Sequence, residues 1–182
     1  MAHMTVSVEY GLHSLLWLAV LGDNPRSGPD LAAFQGVSPS LLAKILVKLQ
    51  KAGVVRSIEG AQGGYLLARA PEQITLLQVV DAIEGPKPLF DCQEIRGRCA
   101  LFEGRPPGWA TDGLCSIHAA MLKAEKAMRQ SLSSQTLGDI ALAVGNKAPE
   151  DLTTPVKQWF EGKDTARPAR KANRRRRDLD HD

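Results

Sequence analysis

At 182 residues, with 43% hydrophobic and 24% charged side chains, the chain has enough apolar material for one compact core plus extensions. No apolar run approaches the roughly 18 residues of a membrane-spanning helix and no secretory signal is visible, so the sequence reads as cytoplasmic, with no membrane partner. The formal net charge of +3 is uneven: residues 163–182 hold eight Lys/Arg against four acids, while residues 1–162 hold fifteen against sixteen. The positive excess belongs to a polar tail and does not mark the body of the chain as a polyanion binder.

That tail, with Arg174, Arg175, Arg176 and Arg177 in a row, is expected to be disordered. It reads either as a solvated extension or as a non-specific hold on DNA. Met1, Ala2 and His3 read as an expression remnant ahead of a native start at Met4. The three cysteines, Cys92, Cys99 and Cys115, are too few for a closed disulfide framework and suit a reducing compartment.

In chain order, Val8, Leu12, Leu15, Leu16 and Ala19 share one face of a first amphipathic helix. Residues 22–29 are a turn-rich break, and residues 30–35 a short second helix ended by Gly36. Ser38 followed by Pro39 is an N-cap with proline at the first helical position. The helix it starts buries Leu41, Leu42, Ile45, Leu46 and Leu49 and turns Ser40, Lys44, Lys48 and Lys51 to solvent. Gly53 stops it.

Residues 54–58 and 65–68 are β-rich and joined through a Gly-Ala-Gln-Gly-Gly turn, which predicts a hairpin. Thr75 can cap a helix carrying Leu76, Leu77, Val79, Val80 and Ile83, closed by Gly85 and Pro86. Residues 86–114, with four prolines, four glycines and two cysteines, show no period and predict a long irregular loop. Beyond Cys115, Ile117, Met121, Ala124, Met128 and Leu132 are spaced close to a coiled-coil seam. Residues 136–144 form a further short helix. Residues 149–162 read as weakly structured, although Val156, Trp159 and Phe160 should pack somewhere.

Helix, hairpin and helix in this order make a mainly α fold with a small β-hairpin wing, a winged helix-turn-helix. The second helix of such a unit enters the DNA major groove. Ser38, Ser40, Leu41 and Lys44 would face base edges there, with Lys48 and Lys51 on phosphates. Arg56, Ser57 and Gln62 lie on or beside the wing, and the amides of Gly63 and Gly64 can approach phosphates. Taken alone the lysine row reads rather as a solvated helix face, and it is the order of the elements that favours DNA.

The stretches SPSLLAKILVKLQKAGVVRS, GAQGGYLLAR and ITLLQVVDAIEG resemble the Rrf-type family of bacterial winged-helix transcriptional regulators, which includes IscR, NsrR and RsrR. The resemblance runs from Val6 to Val144, about three-quarters of the chain. It implies a homodimer, a long dimerisation helix after the cysteine loop, and binding to pseudo-palindromic double-stranded promoter DNA. It also implies the organisation of the chain: a DNA-binding domain over residues 1–85, a cysteine-bearing sensor loop over 86–114, a dimerisation helix and short following helix over 115–145, and an extension with the basic tail over 146–182. Glu59 stands where family wings commonly carry arginine, and a carboxylate there is repelled by phosphates.

The cysteine spacing, six residues and then fifteen between ligands, is neither a ferredoxin nor a zinc pattern. The resemblance nevertheless implies an iron–sulfur cluster in this loop, 2Fe-2S rather than 4Fe-4S, since many family members place three cysteines here. GPKPLFDCQEIR together with VEYGLH is most similar to the RsrR branch. In that branch a carboxylate and a histidine of the partner subunit's first helix complete the cluster, and Glu9 and His13 match those positions. Cys99 would then stand in for one of the branch's ligand cysteines. His118 matches the ligand histidine of IscR. The residues alone leave other readings open: free thiols, direct thiol oxidation, a zinc site, Glu9 as a solvent residue, and His13 and His118 as structural histidines.

Two functions follow. One is a DNA-binding regulator whose operator affinity is set by the redox state or occupancy of the cluster. The other is a cluster-free regulator sensing a small molecule, a partner or thiol oxidation. No Gly-rich nucleotide loop and no nucleophile with its base are present, so the chain is not expected to be an enzyme.

Overall fold

The computed structural model describes residues 4–60 and 63–165. The first helix, α1 (Val6–Leu21), starts at Thr5, whose Oγ1 accepts from the Ser7 amide at 3.3 Å. It is the central helix, contacted by α2 (Gly28–Gln35), α3 (Pro39–Lys51), α4 (Leu76–Glu84), α7 (Leu137–Gly145), α8 (Thr153–Thr165) and the hairpin. Burial therefore exceeds one stripe: Leu18 and Leu21 are buried beside Val8, Leu15 and Leu16, while Leu12 and Ala19 are only half-buried. Ser14 is fully buried and still satisfied. Its hydroxyl donates to the Tyr10 carbonyl at 2.8 Å and accepts from Gln35 Nε2 at 2.9 Å, fastening α2 to α1.

Helix α2 begins two residues earlier than the sequence suggests, because Ser27 supplies the cap: its Oγ accepts from the Asp30 amide at 3.1 Å. Helix α3 buries Leu42, Ile45, Leu46 and Leu49, with Leu41 half-buried. Full burial is worth about 1.5–3 kcal/mol for a side chain of this kind. Strand β1 (Val55–Ile58) pairs antiparallel with β2 (Gly64–Leu67), Ile58 opposite Gly64 and Val55 opposite Leu67. Arg26 bridges to the edge of this hairpin: its N–H donates to the Tyr65 carbonyl at 3.0 Å, and its carbonyl accepts from the Tyr65 N–H at 2.8 Å.

Thr75 and Gln78 form the expected capping box of α4. The loop that follows is less irregular than its composition implies. Two 3₁₀ turns, Arg96–Arg98 and Ala100–Phe102, and a single-turn α5 (Gly108–Thr111) are set within it. Cys115 then precedes α6 (Ser116–Ser133), in which no residue is buried. The segment that follows α6 is stitched to the start of α4: the Leu76 amide donates to the Gln135 carbonyl at 2.9 Å and the Leu137 amide to the Ile74 carbonyl at 2.8 Å.

Residues 149–162, read from sequence as weakly structured, belong largely to α8. Val156 and Phe160 on that helix are buried in the same core as α1, α3 and α4, and Trp159 packs against it. Pro155 lies in the first turn, where a missing amide is harmless, so it starts this helix instead of breaking it. Residues 1–3 and the tail from 166 onward lie outside the described residues. Among the described residues, no helix is long and apolar enough to cross a membrane.

Candidate nucleic-acid interface and cysteine loop

The exposed start of α3 carries Ser38 and Ser40, whose hydroxyls are 3.0 Å apart. Ser38 occupies the N-cap position, but its side chain makes no cap bond to the helix, contrary to the sequence expectation. Both hydroxyls are thereby left at the surface. Lys44 and Lys51 are exposed on the same helix. Lys48 is engaged: its Nζ donates to the Ile83 main-chain carbonyl at 2.5 Å. A cation at the C-terminal end of α4 satisfies an orphan carbonyl and opposes the negative end of the helix dipole. The expectation that Lys48 belongs to a free phosphate-facing row is corrected accordingly.

On the wing, Arg56 and Ser57 are exposed, and Ser57 Oγ accepts from Gln50 Nε2 at 2.9 Å, bracing β1 against α3. The Gly63 amide is not open to phosphate, because it donates to the Gly60 carbonyl at 3.0 Å inside the tip turn. Gly64 serves close packing: a Cβ there would lie 2.4 Å from the Arg26 carbonyl atoms. Gln62 lies outside the described residues. Glu59 is exposed at the tip, so the wing carries one cation and one anion.

Sequence reasoning missed Arg26. It is 4% exposed; its Nη1 donates to Asp164 Oδ2 at 2.8 Å, and its guanidinium lies over the Phe160 ring at 5.0 Å. A buried arginine has no periodic signature, and its two partners are more than a hundred residues away in sequence.

In the loop, Arg96 acts as the clasp. Its Nη2 donates to the carbonyls of Thr111 at 3.1 Å and Gly113 at 2.9 Å, and its Nε and Nη2 pair with Glu94. Hydrogen bonding to Glu94 holds the Arg96 guanidinium above its ordinary range, and Glu94 is held below the usual carboxylate range by the same bond. The charges of Cys115 and Cys92 act on Arg96 in the same direction, and that of His118 acts on Glu94. Cys92, Cys115 and His118 therefore share one neighbourhood, with His118 beside the Phe90 ring at 6.1 Å between centroids. Cys92 and Cys115 are half-buried; Cys99 is exposed.

A neighbourhood is not a ligand set. Among the described residues of one chain, no three His, Cys, Asp or Glu side chains converge as a metal requires. Glu9 and His13 are exposed one turn apart on α1, where they line a cleft of about 650 Å³ with Leu12, Leu16, Leu76 and Ile140. No cysteine lines that cleft. Glu9 and His13 thus lie apart from the cysteine loop, and the six residues expected to hold a cluster do not form one ligand set in the single chain.

Comparison with known proteins bears on this arrangement directly. The Rrf2 family model, described as an iron-dependent transcriptional regulator, matches residues 4–143. Protein rrf2 of Nitratidesulfovibrio vulgaris is 35% identical over 138 residues, which cover 75% of this chain and 85% of that protein. The structure of CymR, titled the global cysteine regulator of B. subtilis, superimposes with a TM-score of 0.62 at 27% identity, covering 79% of this chain and 98% of that one. IscR of T. potens gives a TM-score of 0.61 at 27% identity, covering 81% and 92%. With its exposed α3, its two-stranded wing and this match, the chain belongs to the Rrf2 family of winged-helix, DNA-binding transcriptional regulators, and its role is non-catalytic.

Proposed function

We propose that this protein is a homodimeric transcriptional regulator that holds a pseudo-palindromic promoter duplex with two α3 helices and adjusts that hold through its cysteine loop, without a metal held inside one subunit. Ser38, Ser40, Leu41 and Lys44 would face base edges, and Lys51, Arg56 and Ser57 the phosphates. The exposed apolar stripe of α6, with Ile117 at 64% exposure, supports dimerisation along that helix. Residues 4–85 act as the DNA-binding unit, to which α8 returns; 86–114 is the sensor loop; 115–145 carries the dimer contact.

The observation that carries the cluster-free reading is the Arg96 clasp. The loop is already closed by an arginine on the carbonyls of residues 111 and 113, with two half-buried thiols beside the cation. Thiols are the groups that oxidants and thiol-reactive ligands modify. A bulky adduct or a disulfide at one of them would strain the clasp at the root of α6.

A second reading is a 2Fe-2S cluster shared between subunits, as in the RsrR branch. It is favoured by the exposed Glu9 and His13, which a partner's Cys92 and Cys115 would have to meet. Anaerobic purification followed by iron and sulfide assay separates the two. Colourless, iron-free protein after attempted reconstitution, with DNA binding that responds to oxidant and stops responding in Cys92→Ser and Cys115→Ser, supports the first. Coloured protein with iron and sulfide overturns it in favour of the second.

A further inference from the structure

We propose that Val47 is a specificity-determining residue of α3, one that reads the 5-methyl group of a thymine in the major groove. The proposal deepens the DNA-binding reading above and rests on it. It adds an apolar contact to the hydroxyl and ammonium groups already placed toward base edges.

Helix α3 turns its large apolar side chains to the core, with one exception. Leu42, Ile45, Leu46 and Leu49 are buried and Leu41 is half-buried, whereas Val47 is 44% exposed. At about 3.6 residues per turn, the path from Ser40 to Val47 is about two turns and brings the two within about 20° of each other around the axis. Val47 therefore stands in the middle of the face opposite the core, in line with Ser40 and flanked by the exposed Ala43 and Lys44. Further along the helix, Gln50 donates to Ser57 of the wing at 2.9 Å, so this face runs from the start of α3 to the hairpin.

A valine here does little for the fold. Its side chain lies largely outside the core, and a β-branched residue forms helix less readily than alanine, lysine or glutamine. It is nevertheless well suited to contact. Its two methyls are held by one strongly preferred rotamer, so little freedom is lost when they meet a partner. Charge indicates which partner. Helix α3 carries Lys44, Lys48 and Lys51 and no acid, which suits a polyanion. In the major groove an A·T pair presents one apolar group beside its polar edge, the C5 methyl of thymine, and apolar side chains meet it there. Val47 is about 10.5 Å from Ser40 along the helix, far enough to meet a different base pair.

The test uses the full chain and a duplex selected by it from an unmethylated random-sequence pool, in which thymine supplies every pyrimidine methyl. Each thymine of a half-site is then replaced in turn by uracil, which pairs alike and lacks the methyl. At one position the change should weaken binding roughly fourfold, the worth of one buried methyl-sized group. Val47→Ala should bring the thymine duplex down to the uracil duplex, the two agreeing within about twofold. Alanine is the best helix former, so this variant keeps α3 intact. A selected half-site without thymine overturns the proposal, as does one in which uracil has no effect at any position. So does a uracil effect that Val47→Ala leaves at full size. If the unaltered chain selects no duplex at all, the DNA-binding reading itself has failed, and the proposal with it.

Discussion

The Lys48 ammonium of α3 donates to the carbonyl of Ile83 in the last turn of α4, so α3 and the helix that leads into the cysteine loop are joined by one side chain. Lys48→Met keeps the apolar stem and removes the donor. It should lower stability by about 1 kcal/mol, read as a shift in the urea midpoint, because the Ile83 carbonyl loses its partner. The salt dependence of DNA binding should change by less than one unit. A full unit lost at unchanged stability would return Lys48 to the phosphates.

Glu84, the residue after Ile83, ties this same end of α4 to the start of α1. Its Oε1 accepts from the Thr5 amide at 2.9 Å and the Thr5 hydroxyl at 2.6 Å, and Lys87 approaches Oε2 at 3.3 Å. The Thr5 hydroxyl bond, more than the others, holds this carboxyl below the usual carboxylate range. A depressed native pKa means the unfolded chain takes up the proton first. Its stabilisation is therefore complete above the ordinary carboxylate pKa and is lost as pH falls through the native one. Urea midpoints of the unaltered chain and Glu84→Gln should differ at pH 7 and converge only as pH falls through the depressed native pKa, below the ordinary carboxylate range. Parallel curves over that span would show that Glu84 has no such role.

Two glycines with similar crowding should respond differently to alanine. At Gly11 the new methyl meets Ile83 Cδ1 at 2.4 Å, the end of a side chain that can rotate away. At Gly64 it meets the main chain of Arg26 at the same distance, and that main chain is bonded to Tyr65. Gly64→Ala should cost about 1–3 kcal/mol or more and weaken DNA binding by displacing the wing, while Gly11→Ala stays at the low end of that range. Equal losses in thermal melts of the two variants would contradict this account of the wing.

Local signals made much of the architecture legible. The Leu42, Ile45, Leu46 and Leu49 stripe, the Thr75 cap and the paired β segments each depend on neighbours within a few residues, and each is found. What escaped depends on distant main chain. Lys48 looks like a solvated lysine until the Ile83 carbonyl is brought under it. The Gly63 amide looks available until the tip turn claims it. Helix α8 was hidden by Pro155 and Gly162, though Val156 and Phe160 at i and i+4 were visible as a packing pair. The candidate cluster ligands were assigned by resemblance, and the single chain disperses them because Glu9 and His13 lie on α1, apart from the loop.

The bidentate ion pair between Arg129 and Asp81, at 3.0 and 2.8 Å, has a mechanical consequence for α6. It pins the helix to α4 near one end, leaving about 21 Å of lever between the pin and Cys115 but only about 6 Å on the short arm to Ser133. A tilt of 10° about such a fulcrum sweeps the cysteine end through almost 4 Å and the stitched end through about 1 Å, by the same helical rise. The device gears motion down. Any displacement at Cys115 reaches the stitched end reduced in the ratio of the two arms, to between a third and a quarter of its size.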